Sequence, residues 1–350
     1  MSFSTVLVYE FFCGGGCPAG ELSEGVTNEA LGMLWAILKD FRSWGGVRTI
    51  TALDPRFEGR VGGMIRRLPA DEVVYAEAGK HEEVFLSLLK CCNAVLVLAP
   101  ETGGILSGLT AHAERAGIPV LGSCASAAAT AGDKAACNRI FQKAKLPTPR
   151  TRVASFLTAA KVAESMGYPL VVKPIDGVGS EGISRVDGIS DLTIALAMIR
   201  RLTSNERILL QSFTYGIHAS VSLLIAKDRC LPLSLNRQMI QEGLPFHYHG
   251  SQVPFVHQSE GQALELACTA ARLIPGLSGY VGVDLVLASD VVQLIEINPR
   301  LTTSYIGLCQ VSRINMARAI WDACRDDVLP DRVPLAGQVV IKKNEPESWG

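Results

Sequence analysis

The chain has 350 residues, 48% of them hydrophobic and 19% charged, with 33 basic against 34 acidic side chains and a net charge of −1. That balance excludes intrinsic disorder, and the lack of a basic excess argues against nucleic acid or a membrane surface as partner. Length alone predicts roughly two domains, at about 150 residues each.

In chain order, residues 6–9 predict a first strand, followed by a Gly/Cys/Pro loop from 13 to 20. Leu31, Leu34, Trp35, Leu38 and Phe41 recur at helical spacing, which predicts an amphipathic helix ending near Gly45-Gly46. A strand at 49–53, a helix over 84–89, an unbroken apolar strand at 94–99, a helix over about 105–116 and a short strand at 119–121 follow. Apolar strands alternating with helices indicate a doubly wound α/β domain over residues 1–124.

Beyond residue 125 the pattern changes. One Ala-rich helix carries Asp133-Lys134, and Pro147-Thr148-Pro149 then breaks the chain. Strands are predicted at 170–173, 183–186, 208–213, 219–226 and 231–240, with helices near 159–166, 192–201 and 262–273. Strands at 281–287 and 291–297 are joined by the tight turn Ala288-Ser289-Asp290. Residues 125–350 thus read as α+β, with a small lid subdomain at about 147–212 and a metal- and substrate-binding subdomain at about 213–330.

The longest apolar runs, such as 94–99, fall far short of the ~18–20 residues a membrane span needs. The first five residues carry no basic charge and the apolar stretch runs into Glu10, so no leader is expected and the chain reads as cytoplasmic. Cys13 and Cys17 are separated by three residues, Cys91 and Cys92 are adjacent, and the other six cysteines are scattered singly. Neither CxxC nor a zinc spacing occurs, so they are expected to be reduced thiols. A metal or redox role remains open for Cys13 and Cys17 only.

The sharpest local feature is the run Val171-Val172-Lys173-Pro174-Ile175-Asp176-Gly177-Val178-Gly179-Ser180-Glu181-Gly182. Its literal GxGxxG lacks the helix that a dinucleotide fingerprint requires, because Ile183-Ser184-Arg185-Val186 alternates like a strand. A glycine loop between strands lets backbone close over a polyphosphate, and Lys173 can set an ammonium against it. The plainer alternative is a flexible hairpin with a surface lysine.

The second feature pairs Asp284 on one strand with Glu296-Ile297-Asn298-Pro299-Arg300 on the next. Period two puts Glu296 and Asn298 on one face, with Ile295 and Ile297 expected in the core. Two carboxylates and an amide oxygen suit Mg²⁺ or Mn²⁺ shared with substrate phosphates. A solvated hairpin face is the alternative. Arg300 is placed to stabilise transferring phosphoryl charge.

In this order the parts resemble the ATP-grasp superfamily: Asp133-Lys134, Val172-Lys173-Pro174 with the glycine loop, the hinge Leu210-Gln211-Ser212-Phe213, then Asp284 and Glu296-Ile297-Asn298-Pro299-Arg300. The resemblance covers roughly residues 95 to 310. It implies ATP held between two α+β subdomains, with Lys134, Lys173 and the loop residues Gly177, Gly179, Ser180 and Gly182 on its phosphates. Gln211 and the Phe213 backbone would contact adenine, and Asp284, Glu296 and Asn298 would ligate metal, with two ions expected. Two positions depart from the pattern: His218 stands near where a ribose-binding acid is common, and Gly282 where an arginine often precedes the first metal ligand. Arg237 is the expected substitute.

A narrower resemblance is to the tyramine–glutamate ligases. It rests on Tyr9-Glu10-Phe11-Phe12, Glu24-Gly25, Met33-Leu34, Lys39-Asp40-Phe41, Ala99-Pro100-Glu101-Thr102, Leu235-Asn236-Arg237-Gln238 and EINPRLTTSY at 296–305. It implies an ATP-dependent ligase of methanofuran-type cofactor biosynthesis, joining a carboxylate to an amine through an acyl phosphate. Tyr248, in a loop expected over 246–250, could stack a phenol ring. Glu101, just past a buried strand, could hold the amine or cap a helix. The partners expected are small molecules, with a homodimer left open. Rival readings are the same chemistry with another amino acid or amine, a non-catalytic nucleotide-binding module, and a dinucleotide oxidoreductase built on Gly14-Gly15-Gly16 and Asp54. Pro18 falls where the oxidoreductase would need a helix to propagate, and the complete acid set argues against a non-catalytic module.

Overall fold

The computed structural model describes residues 4–17, 24–57, 68–175, 177, 182–203, 205–343 and 345. Strands β1 (Thr5–Glu10), β2 (Arg48–Leu53), β3 (Glu72–Tyr75) and β4 (Ala94–Leu98) form a parallel sheet in the order β3-β2-β1-β4. Helices α1 (Glu24–Trp44), α2 (His81–Leu89) and α3 (Ile105–Arg115) cover it. Alternation sorts the side chains of the central strands. Val6, Val8, Leu96 and Leu98 pack with α1, whereas Leu7, Tyr9, Val95 and Val97 pack with α2 and α3. The strand expected at 119–121 is only a bridge between Val120 and Val95, and β3 has no counterpart among the strands expected from the sequence.

The single Ala-rich helix expected around Asp133 is two helices, α4 (Ala125–Gly132) and α5 (Lys134–Lys143). Asp133 between them is extended, and its carboxylate accepts the N–H groups of Ala135 and Ala136, each at 2.9 Å. Aspartate bonds the backbone better as an N-cap than inside a helix, which is why the break falls here. Asp133→Ala is expected to lower stability by about 1 kcal/mol, read as a lower midpoint in thermal unfolding.

Two antiparallel sheets follow. β5 (Thr151–Ser155), β6 (Leu170–Pro174), β7 (Ser184–Val186) and β8 (Arg207–Ser212) are ordered β5-β8-β6-β7 and backed by α6 (Ala159–Met166) and α7 (Ile189–Leu202). β9 (Ile217–Ala226), β10 (Arg229–Gln241), β11 (His247–Val253), β12 (Gly279–Leu287), β13 (Val292–Asn298) and β14 (Val339–Lys342) form the third sheet, ordered β13-β12-β9-β10-β11-β14. One face packs on α8 (Glu260–Arg272). The loop expected at 246–250 is therefore largely strand β11, paired with β10 and β14.

Helices α9 (Ser304–Val311) and α10 (Met316–Arg325) return to the first sheet and share one core with α1. Trp44 and Trp321 meet at 5.9 Å between ring centroids. The Tyr305 hydroxyl donates to Asp40 Oδ2 at 2.6 Å, and Asn315 donates to the Asp40 carbonyl at 2.8 Å. Burial lifts the Asp40 pKa to about 6, against the pull of the Tyr305 bond. The folded chain therefore holds this proton longer than the unfolded chain, and the stability contributed falls as pH rises from about 4 to about 6. Asp40→Asn is expected to flatten that limb and to exceed the parent in stability above it, as measured by urea unfolding across pH.

Candidate active site

The site begins with a strand register. Asp284 on β12 stands directly opposite Glu296 on β13, and Gly282 opposite Asn298. The ladder then slips, so that Leu285 pairs with Leu294 and leaves Ile295 as the extra residue of a bulge. Leu294 and Ile297 both stay in the core, while Ile295 lines the cavity. The expectation that Ile295 is core is thus corrected, because the bulge breaks the two-residue alternation beside the carboxylates.

Glu296 is a hub. Its Oε2 lies 2.8 Å from Lys134 Nζ, at the start of α5, and 3.3 Å from Lys173 Nζ, on β6. Burial alone would raise its pKa, but the two ammonium groups outweigh that and hold it down at about 2. Lys173 is only 3% exposed; burial depresses its pKa, with Glu296 opposing. For Lys134 the balance goes the other way: burial pulls down, and the carboxylates, Glu296 first, lift it above the ordinary value. Among the described residues Asp284 forms no salt bridge, and Lys134 only partly offsets its burial. Asp284 accepts the Gln238 amide at 2.9 Å and the Asn298 amide at 3.1 Å, and burial followed by Glu296 repulsion pushes its pKa up to about 7.

Two buried, facing carboxylates of which one is driven towards its neutral form are a donor set that a divalent cation would relieve. Asp284, Glu296 and Asn298 offer oxygen only, which suits a hard ion, so the residues fit the metal that the sequence implied. Gly282 explains its own departure from the family pattern. A Cβ there would lie 2.6 Å from Thr302 Cγ2, so a larger residue would require Thr302 to shift.

A continuous cavity runs from residues 211–214 past Lys173, Asp284, Glu296 and Asn298 to Arg300, and on to Glu10, Phe12, Val26 and Glu29. At the hinge end, Gln211 Nε2 donates to Thr151 Oγ1 at 2.9 Å. The Phe213 N–H donates to the Pro169 carbonyl at 3.1 Å, and its ring carries the Arg185 guanidinium at 4.5 Å. His218 also lines the cavity, with Nε2 2.9 Å from Glu242 Oε1. The acid that pairs with His218 is thus Glu242, beyond the end of β10, a partnership that no spacing along the chain reveals. Gly177 and Gly182 flank the glycine loop, and Gly182 has φ +71° with Pro174 and Ile199 behind it. Gly179 and Ser180 lie outside the described residues.

At the far end, Arg300 Nε and Nη2 donate to the two carboxylate oxygens of Glu101 at 2.9 and 3.0 Å, both side chains being largely shielded from solvent. Glu101 makes no cap bond and does not line the cavity, so the amine-holding and capping expectations both give way to an anchor for Arg300. Arg237 is corrected too. It is exposed, on the opposite face of β10 from Gln238, with its guanidinium 5.9 Å from the Phe255 ring centroid. Strand parity gives the reason: Gln238 faces the site, so its neighbour Arg237 cannot. Tyr248 lines the cavity, its hydroxyl 2.7 Å from both Ser251 and Thr303. Glu10 and Glu29, which carry no site role in the sequence motifs, line it as well; Glu29 is held by Lys343 at 3.1 Å.

Comparison with known proteins gives the family and the fold. Residues 131–304 match the ATP-grasp domain, and residues 47–128 match the pre ATP-grasp 3 domain. The chain is 33% identical over 213 residues to the tyramine–L-glutamate ligase of Methanocaldococcus fervens, covering 61% of this chain and 60% of that one. It is also 33% identical over 232 residues to that of Methanocaldococcus jannaschii, covering 65% and 62%. The alignments thus span about three-fifths of these relatives. A solved structure from Archaeoglobus fulgidus, described as an ATP-grasp superfamily protein, superposes with a TM-score of 0.69 at 23% identity over 97% of this chain and 92% of that one. An L-amino acid ligase from Bacillus licheniformis superposes with 0.67 at 18% identity, covering 93% and 75%. Among the described residues no helix is long and apolar enough to cross a membrane, and all ten cysteines are free thiols. With its parallel N-terminal sheet, its two antiparallel sheets and the lysine–carboxylate hub between them, the chain belongs to the ATP-grasp superfamily.

Proposed function

We propose that the chain is an ATP-dependent ligase that joins L-glutamate to tyramine through an acyl phosphate, in the biosynthesis of a methanofuran-type cofactor. The observation that carries the reading is one continuous cavity linking the hinge at Gln211–Phe213, buried Lys173 on Glu296 with Lys134 on the same carboxylate, and Arg300 beside a second chamber. The ligase relatives support the choice of substrates.

In this reading adenine lies at Gln211 and the Phe213 carbonyl, since the Phe213 N–H is already bonded, and the ribose meets His218 with Glu242 behind it. Lys134 and Lys173 leave Glu296 for the phosphates, joined by the loop that Gly177 and Gly182 bound. Asp284, Glu296 and Asn298 hold Mg²⁺ or Mn²⁺, which supplies charge neutralisation on the transferred group. The substrate carboxylate attacks the γ-phosphoryl, ADP departs, and the amine displaces phosphate from the acyl carbon. Arg300, fixed by Glu101, stabilises the charge that gathers during both steps.

The test is a grid of carboxylates and amines with ATP and Mg²⁺, reading ADP release and product mass. Glutamyl-tyramine formed only when both substrates are present is the expected result. ADP release that needs a carboxylate but gives no tyramine product would move the acceptor to another amine.

A further inference from the structure

We infer that Glu10 is the counter-ion for the ammonium of a ring-bearing primary amine whose apolar body occupies the chamber lined by Phe12, Val26, Ala30, Met33 and Leu98. The inference rests on the ligase reading only for placing that amine beside the activated carboxylate. The chamber itself is independent of it. In the parallel sheet, β2 and β3 lie to one side of β1 and β4 to the other, so the strand order reverses between β1 and β4. Ligands of doubly wound sheets sit outside the carboxyl ends of the strands at such a point. Glu10 closes β1 and Leu98 closes β4, and both line the cavity.

Glu10 is 2% exposed, with Oε2 accepting the Cys13 N–H at 2.6 Å. Among the described residues no cation forms a salt bridge with it. Arg300 lines the same cavity and exerts a pull on Glu10, but its Nε and Nη2 are bound to Glu101. Lys343 is on Glu29, and Arg56 is on Asp54. The Cys13 thiol nearby is kept neutral by burial. Burial accordingly lifts the Glu10 pKa to about 7. A buried carboxylate without a cation is costly, and a ligand ammonium supplies one. The walls at Phe12, Val26, Ala30, Met33 and Leu98 are apolar, which suits a ring, and Glu29, the other carboxylate lining the chamber, is held by Lys343.

The test is calorimetric binding of tyramine and of its neutral analogue tyrosol, in which a hydroxyl replaces the ammonium. The parent is expected to bind tyramine at least about tenfold tighter, and Glu10→Gln to bring the two within about threefold, with ADP affinity unchanged as the check on folding. A parent without preference for tyramine, or a Glu10→Gln variant that keeps the preference, overturns the assignment. Val26→Trp, which fills the chamber, is expected to weaken both ligands by about tenfold or more while sparing ADP; undiminished binding there overturns the location. Because binding needs no turnover, a Glu10-dependent preference in a protein that makes no glutamyl-tyramine would count against the ligase reading and not against this site.

Discussion

Glu296→Gln is expected to reduce amide formation by about three orders of magnitude and to destabilise the fold by about 3–5 kcal/mol, the cost of breaking a buried ion pair. The two effects have one origin. Glu296 is the sole carboxylate within salt-bridge distance of both Lys134 and Lys173 among the described residues, Lys173 being buried and Lys134 largely so. The amide keeps the shape but leaves the lysines facing each other without an anion between them, and it removes a charged donor from the set shared with Asp284. Bound ATP should restore part of the lost stability, because its phosphates replace the missing charge. Thermal unfolding with and without ATP, alongside turnover, checks this. Turnover within tenfold of the parent would remove the hub from the mechanism.

Arg300→Ala is expected to lower turnover by about 10²–10³-fold and to strand Glu101, again at about 3–5 kcal/mol. The pair is bidentate and largely shielded from solvent, and it ties the segment after β4 to the end of β13. Arg300→Lys separates the two consequences. It keeps the charge near Glu101 but loses the planar fork, so stability should largely return while turnover stays about 10²-fold down. If Arg300→Lys instead matched the parent in turnover, the role of Arg300 would be structural only.

The candidate site is legible in the sequence where it depends on a short segment, and not where it depends on a register. The hinge, both lysines, Asp284, Glu296, Asn298 and Arg300 each sit in a run whose residue types are unusual for a core strand, and the structure gathers them along one cavity and the helix that abuts it. Arg237 is misplaced by a single position on β10. Gln238, on the correct face, can be found by counting from the buried Leu235. Ile295 cannot, because nothing local announces a bulge. Glu101 and Arg300 are 199 residues apart, and Glu242 reaches His218 only across paired strands. The fold follows the same rule. Helical and apolar periodicities mark most of the elements, whereas Asp133 divides a helix by capping it, and β11 hides behind residues that read as a loop.

The most direct measurement of the central claim follows the oxygen. Glutamate carrying ¹⁸O in its carboxyl groups is supplied with ATP, Mg²⁺ and tyramine, and the phosphate released is analysed by mass. Attack of the carboxylate on the γ-phosphoryl predicts one labelled oxygen in each phosphate formed, matched one for one with amide. Amide accompanied by unlabelled phosphate would contradict an acyl phosphate, and with it the catalytic roles of the Glu296 hub and of Arg300.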